Sequence, residues 1–221
     1  MIKALFPTYF SWSLLISFTS LCTMFFSYLL IVVHLMLKKK KPLSLIFIDT
    51  ETTWLSCTDQ ILQFAAIYGT FDGKNFYEKT RINQYINITT KINFFAQRVH
   101  GISKSMVEKY WYIDTYIDDF LKYITKSDHI IGHNISFDIR MLQQDCTRIE
   151  KHYDWDALQT FCTMKDINHV SDLPKKRPRL GLLYTHLFGK TFDHAHDAMA
   201  DIEATKDCFI ELVKRGDVCL K

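Results

Sequence analysis

The sequence is short of charge where it begins. No acidic residue occurs in the first 41 positions, and no residue of either sign lies between Lys3 and Lys38. The uncharged run from Trp12 to Leu37, "WSLLISFTSLCTMFFSYLLIVVHLML", exceeds the roughly 20 mainly apolar residues that a membrane-spanning helix requires. A cleavable signal fits less well, since its apolar region covers roughly 7–15 residues and closes at a small-residue site rather than at lysines. The third reading is an untranslated leader added by a misassigned start codon. On the first reading, the block Lys38-Lys39-Lys40-Lys41 holds the following chain in the cytoplasm. Residues 1–41 are then a transmembrane segment and 42–221 the working domain. Without the leader, the same domain is soluble and cytoplasmic.

Other absences narrow the class. Cys22, Cys57, Cys146, Cys162, Cys208 and Cys219 form no C-x-x-C pair and no framework spacing, which leaves reduced thiols as the default. Of the sequons Asn87-Ile88-Thr89 and Asn134-Ile135-Ser136, the second falls among residues assigned below to chemistry, where a glycan would be ruinous. Glycine and proline number only 7 and 4, and residues 42 to about 215 hold no repeat, low-complexity tract or long linker. The length suits one domain. The net charge of +3 is misleading, because residues 42–221 carry 22 basic and 24 acidic groups. The basic balance belongs to the leader and its topology, not to a nucleic-acid-binding body. One local basic cluster remains, at Lys175, Lys176, Arg177 and Arg179.

What is present alternates between strand-like and helix-like segments. Leu43–Asp49 reads as a fully buried strand, and Ile61–Thr70 and Asn75–Ile82 as two more joined at Asp72-Gly73, a hairpin signal. Ile113, Ile117, Phe120, Leu121 and Ile124 stand at helical spacing and predict a helix over 112–124. Asp128–Ile131 is a short strand running into Gly132. Helices follow over 137–146, over 180–188 with a stop at Gly189, and over 198–215 with a stop at Gly216. The pattern predicts an α/β layered domain, a sheet led by an antiparallel meander with helical crossovers after it.

The chemistry gathers at three places. In "LSLIFIDTETTW" the buried strand ends in Asp49 and Glu51, two residues apart and therefore on one face. Two acids so placed repel, and a hard divalent cation with oxygen ligands is the usual relief; a solvated turn is the bland alternative for this pair taken alone. In "HIIGHNISFDIRML" Asp138 follows another apolar strand, just past His133 and Asn134. In "FDHAHDAMADIEAT" His194, His196, Asp197 and Asp201 follow in quick succession. His196 and Asp201 are five apart, about 140° on one helix, so they converge only if His196 lies in the loop before it.

Together D-x-E-T at 49–52, H-N-x-x-F-D at 133–138 and H-x-A-x-x-D at 196–201 resemble the three motifs of the DEDD exonuclease superfamily. The histidine-bearing, DnaQ-like branch (DEDDh), to which the epsilon proofreading subunits of bacterial DNA polymerase III belong, is the most similar. "VHGIS" at 99–103 and "RLGLLYTHLFG" at 179–189 resemble further signatures of the family, and the likeness runs from about 43 to 213. It implies a ribonuclease-H-like mixed sheet flanked by helices, and 3′→5′ hydrolysis of nucleic acid with two Mg²⁺ or Mn²⁺ ions per active site. Asp49 is then expected to bridge the ions, Glu51 and Asp201 to complete one site, and Asp138 to support the other. His196 is expected to act as general base, a task suited to a side chain that titrates near 6.5 when unperturbed. His194 is the competitor, but the alanine of the motif, Ala198, selects His196. Asp197 and Glu203 read as solvated acids on the helix face.

The resemblance also places Thr50, Thr52, His100, Ile102, His133 and Asn134 against the substrate. Ile102 is then a wedge at the last base or an ordinary packing residue, and His133 and Asn134 orient the substrate or serve structural hydrogen bonds. Trp54 departs from the family pattern, where glycine is common, and would alter entry of the 3′ nucleotide or stack on it. The lysine-rich cluster holds phosphates or is a solvated loop. The implied substrate is a single-stranded or frayed 3′ end, with DNA favoured over RNA because D-T-E-T-T is more similar to the proofreading branch. No polymerase-like segment is present, so proofreading would need a polymerase or repair partner; monomer and homodimer both occur in the family. The rival reading is a membrane-anchored nucleic-acid-binding or polymerase-associated subunit with little catalysis.

Overall fold

The computed structural model describes residues 41–220 together with Ser27 and Tyr28. Apart from those two, the apolar run 12–37 lies outside the described residues, and among the described residues no helix is long and apolar enough to cross a membrane. The chain divides between Lys41 and Pro42, and the fold that follows is that of the second unit.

Its centre is β1 (Leu43–Thr52). Leu45, Ile46, Phe47 and Ile48 are all fully buried, so the strand is covered on both faces, as a continuous apolar run requires. β1 pairs antiparallel with β2 (Ile61–Phe71), which pairs antiparallel with β3 (Phe76–Tyr85). The hairpin between β2 and β3 is closed by Asp72, whose carboxylate accepts the Lys74 and Asn75 amides at 2.9 and 2.7 Å, while Gly73 takes φ +99. On its other side β1 pairs parallel with β4 (His129–Gly132), and β4 with β5 (Thr160–Cys162), giving the order β3-β2-β1-β4-β5.

Among the described residues, the sheet is accompanied by α1 (Phe94–His100), α2 (Lys104–Val107), α3 (Ile113–Thr125), α4 (Ser136–Arg148), α5 (Leu180–Phe188) and α6 (Ala198–Lys214). Alternation along β1 splits the core in two. Leu45 and Phe47 pack with Leu183 of α5 and with Ile202, Phe209 and Leu212 of α6. Ile46 and Ile48 pack with Ile117 and Phe120 of α3 and with Met141 and Leu142 of α4. Phe209 meets Phe47, Phe71 and Phe161 edge-on at 5.7, 5.8 and 5.5 Å. Gly132 allows the close approach that ends β4, since a Cβ there would stand 2.8 Å from Ile135 Cδ1 and 3.1 Å from the Ile48 carbonyl. The mixed sheet with helices on both faces is the expected α/β class, but β1 runs past the expected end at Asp49 to Thr52, so Glu51 too lies inside the strand. β5, α1 and α2 were not among the expected elements.

Candidate active site

The end of β1 gathers the acids. Asp49 and Glu51 point to one face and stand opposite Ala65 and Gln63 of β2, and the pairing register shifts between Glu51 and Thr52. Such an irregularity re-aims side chains where a strand leaves its ladder. Asp201, in the first turn of α6, comes from the helix packed on the same face. One carboxylate oxygen from each of Asp49, Glu51 and Asp201 lies within 4.8 Å of the others. Asp138 arrives from α4 on the opposite face, only 2% exposed. Thr50, whose side chain alternates to that face, donates its hydroxyl to Asp138 Oδ1 at 2.7 Å.

Burial drives the electrostatics. It raises Asp49 well above the ordinary carboxylate range, with Asp138, Glu51, Asp201 and Asp197 adding repulsion in that order. Glu51 is pushed up to about 8, by burial first and then by Asp201, Asp138 and Asp197. Asp138 is pushed up to about 7 by burial, against which the Thr50 hydroxyl works. Asp201 is raised by burial and partly relieved by His196. A cluster of oxygen donors that resists ionisation fits a hard divalent cation, whose charge reverses the local balance. Asp49, Glu51 and Asp201 would hold such an ion; Asp138 stands next to them, outside the tight group.

The other expected residues fall into distinct settings. His196 is exposed and lies in the loop before α6, as its spacing from Asp201 requires; its amide points at both Asp201 oxygens at 3.3 Å. His194 and His196 both take left-handed backbones, φ +58 and +73. His100 Nδ1 accepts the Ile102 amide at 2.9 Å, which puts the ring proton on Nε2. That buried Nε2 has no hydrogen-bond partner by geometry, although the Thr52 carbonyl lies on its side, and burial lowers the pKa of His100. His133 Nδ1 is 3.0 Å from Thr163 Oγ1, and burial pushes its pKa down to about 4. Asn134 takes φ +70, and its carbonyl accepts the Phe137 amide at 2.8 Å as α4 begins. Thr52 donates its hydroxyl to the Trp54 carbonyl at 2.7 Å. Ile102, expected to reach the last base or to pack, is 2% exposed among Leu62, Ile88 and Val107. Its burial assigns it to packing.

Two residues of the site were not anticipated in their roles. Asp197, read as a solvated acid, instead caps α6: its Oδ1 accepts the Met199 and Ala200 amides at 3.1 Å. Gln63, fully buried, donates to Asp197 Oδ2 at 3.1 Å and to Asn83 Oδ1 at 2.9 Å, tying β2 and β3 to the start of α6. The signal for Gln63 was in the sequence, where a lone polar residue interrupts the buried strand "ILQFAAIYGT".

Comparison with known proteins agrees with this geometry. A family model described as Exonuclease (RNase_T) matches residues 46–209. The DNA polymerase III subunit epsilon of Buchnera aphidicola subsp. Acyrthosiphon pisum is 30% identical over 169 residues, 71% of this chain and 67% of that protein. The Rickettsia felis subunit epsilon is 34% identical over 111 residues, 48% of this chain and 45% of that protein. The chain thus spans between about half and two thirds of these relatives. Among solved structures, an E. coli ExoI–ssDNA complex superposes with a TM-score of 0.68 at 21% identity, over 79% of this chain and 41% of that one. The nuclease domain of 3′hExo, described as a DEDDh family member bound to rAMP, gives 0.68 at 14% identity, over 82% and 97%. At those identities the likeness concerns the fold, the ribonuclease-H-like arrangement of mixed sheet and flanking helices.

Proposed function

The chain belongs to the Exonuclease (RNase_T) family, and on that premise we propose that it is a metal-dependent 3′→5′ exonuclease acting on single-stranded or frayed DNA ends. The observation that carries the reading is the convergence of Asp49, Glu51 and Asp201 within 4.8 Å at the end of a buried strand. Two divalent ions, Mg²⁺ or Mn²⁺, would supply the charge that activates a water and stabilises the leaving oxygen of the phosphodiester. Asp49, Glu51 and Asp201 hold that charge, and Asp138, fixed by Thr50, supports it from the second face. His196 takes the proton from the attacking water; its exposure at the loop's edge leaves a path for that proton to solvent. His100 and His133, half-buried and with burial disfavouring their charged forms, position the walls of the site.

The relatives named as polymerase subunits suggest a polymerase or repair partner. The test is a nuclease assay on the full chain with 5′-labelled single-stranded DNA and RNA, in Mg²⁺, in Mn²⁺ and in chelator. A ladder that shortens from the 3′ end, needs the metal and ranks DNA above RNA is the expected result. Asp49→Ala lowers the rate by about a hundredfold or more, the scale of losing a group that holds developing charge. Intact strands in every lane, from folded protein, would overturn the reading.

A further inference from the structure

Two rings stand uncovered on a fixed stretch of backbone just before α3. Trp111 and Tyr112 are 70% and 47% exposed. The Trp111 carbonyl accepts the Asn87 amide at 3.0 Å, and the Trp111 amide donates to the Tyr116 hydroxyl at 3.3 Å. The Asn87 side chain donates to the Glu108 carbonyl at 3.3 Å, which ties the same segment to the exit of β3. Large rings held outward in this way mark a contact surface rather than core. Tyr112 also walls a cavity of about 190 Å³ between the starts of β2 and α3 and the end of α4. Ile61, Ile86, Ile113 and Ile149 give it an apolar lining. Asp145, 1% exposed, pairs there with Arg148 and accepts the Ile61 amide at 3.1 Å, while Arg148 donates to the Asp59 carbonyl at 2.8 Å. At less than the roughly 300 Å³ where small-molecule sites begin, the cavity suits a single side chain.

Charge selects the occupant. With Asp145 and Arg148 paired, the charge left in the lining is Asp114, exposed in the first turn of α3. From Ser105 to Leu121 the chain carries four acids, Glu108, Asp114, Asp118 and Asp119, against Lys109 alone. All four acids are exposed, and among the described residues only Asp118 of them forms an ion pair, with Lys151. Such a rim repels nucleic acid and attracts a cationic segment. The four isoleucines belong to the half of the core that packs α3 and α4, whereas Asp49 and Glu51 alternate to the other face of β1. An occupant here leaves the face that bears those acids open.

We propose that Trp111, Tyr112 and the cavity beside them form a docking surface for a basic segment of another protein, with one apolar side chain as its anchor. This gives the suggested partner a place and a chemistry, and it does not depend on cleavage. The anchor fills the cavity, and lysines or arginines on either side of it meet Glu108, Asp114 and Asp119. Anchors seated in apolar pockets carry most of the energy of such contacts, while the charges set encounter rate and choice of partner.

Isothermal titration of the full chain with three synthetic peptides tests this. One is rich in lysine and arginine with a single central leucine, one has glycine in place of that leucine, and one has glutamates in place of the basic residues. The basic peptide with leucine is expected to bind about tenfold tighter than either of the others, the scale of one anchor side chain, and to weaken as salt is raised. Trp111→Ser/Tyr112→Ser should erase the advantage of leucine over glycine while the urea midpoint holds, since both side chains are exposed. Asp114→Lys/Asp119→Lys should reverse the preference between the basic and acidic peptides. Neither double variant should change the rate on single-stranded DNA. Equal binding of the three peptides, or binding of none, would overturn the docking surface. So would a dimer in sedimentation that Trp111→Ser/Tyr112→Ser turns to monomer, which would assign the rings to a second copy of the chain. A chain that ranks the peptides as expected but hydrolyses nothing would sink the catalytic reading alone.

Discussion

His196 and His194 differ by two positions and share the same loop, the same exposure and the same left-handed backbone region. What separates them is Asp201, whose two oxygens face the His196 amide at 3.3 Å. His196→Ala should therefore lower kcat by about 10²–10⁴-fold, the usual contribution of a positioned base, while KM and the thermal midpoint hold. His194→Ala should leave kcat nearly unchanged. Steady-state kinetics of the two variants decide it, and equal losses would remove the distinction. At this scale the convergence of Asp49, Glu51 and Asp201 could be read in the sequence, from alternation along one strand and from the likeness to the family's motifs, and it is that likeness that singles out His196. Ile102 could not, because an apolar residue suits a wedge and a core equally. Only its packing against Leu62, Ile88 and Val107 separates the two.

At the scale of elements, α6 carries both core and chemistry, so how it starts decides where Asp201 stands. Asp197 satisfies the Met199 and Ala200 amides, which have no partner within the helix, and is itself held by Gln63. Asp197→Ala removes the cap and leaves the buried Gln63 amide group short of one acceptor. The expected cost is about 1–2 kcal/mol, read as a lower urea midpoint at constant slope. The metal concentration needed for half-maximal rate should rise as well, because the turn bearing Asp201 frays. Asp197→Asn keeps an acceptor for the helix and should recover most of the stability; an Asn variant as weak as the Ala one would sink the capping role. α3, α5 and α6 were legible because each buries a full helical face. α1 and α2 were not, since seven and four residues hold too few turns to show a period, and the three residues of β5 are held by pairing with β4 rather than by their own pattern.

For the molecule as a whole, the site is a standing cost that the fold bears until a cation arrives. Asp49 and Glu51, Asp138 and Asp201 come from well-separated places in the chain, and the β1–β4 pairing with its two covering helices brings them together; each place was visible in the sequence, but the repulsion between them exists only in the fold. Burial and then neighbouring carboxylates raise Glu51 to about 8, and burial raises Asp138 to about 7. A carboxyl raised in this way binds its proton more tightly folded than unfolded. The metal-free fold therefore bears no penalty from Glu51 below its ordinary value of 4.5 and the full penalty above about 8, so stability falls as pH rises through that window. A divalent cation needs the same groups deprotonated, so its stabilising effect grows in the same direction. With the ion at a hundredfold excess over its Kd, the gain is about 2.7 kcal/mol. Thermal midpoints of the full chain, taken from pH 5 to pH 8 with chelator and with Mg²⁺, should diverge as pH rises, the chelated curve falling and the Mg²⁺ curve holding. Glu51→Gln should flatten the chelated curve and shrink the gap between the two. Parallel curves would mean that these carboxylates neither repel one another in the fold nor gather a cation between them.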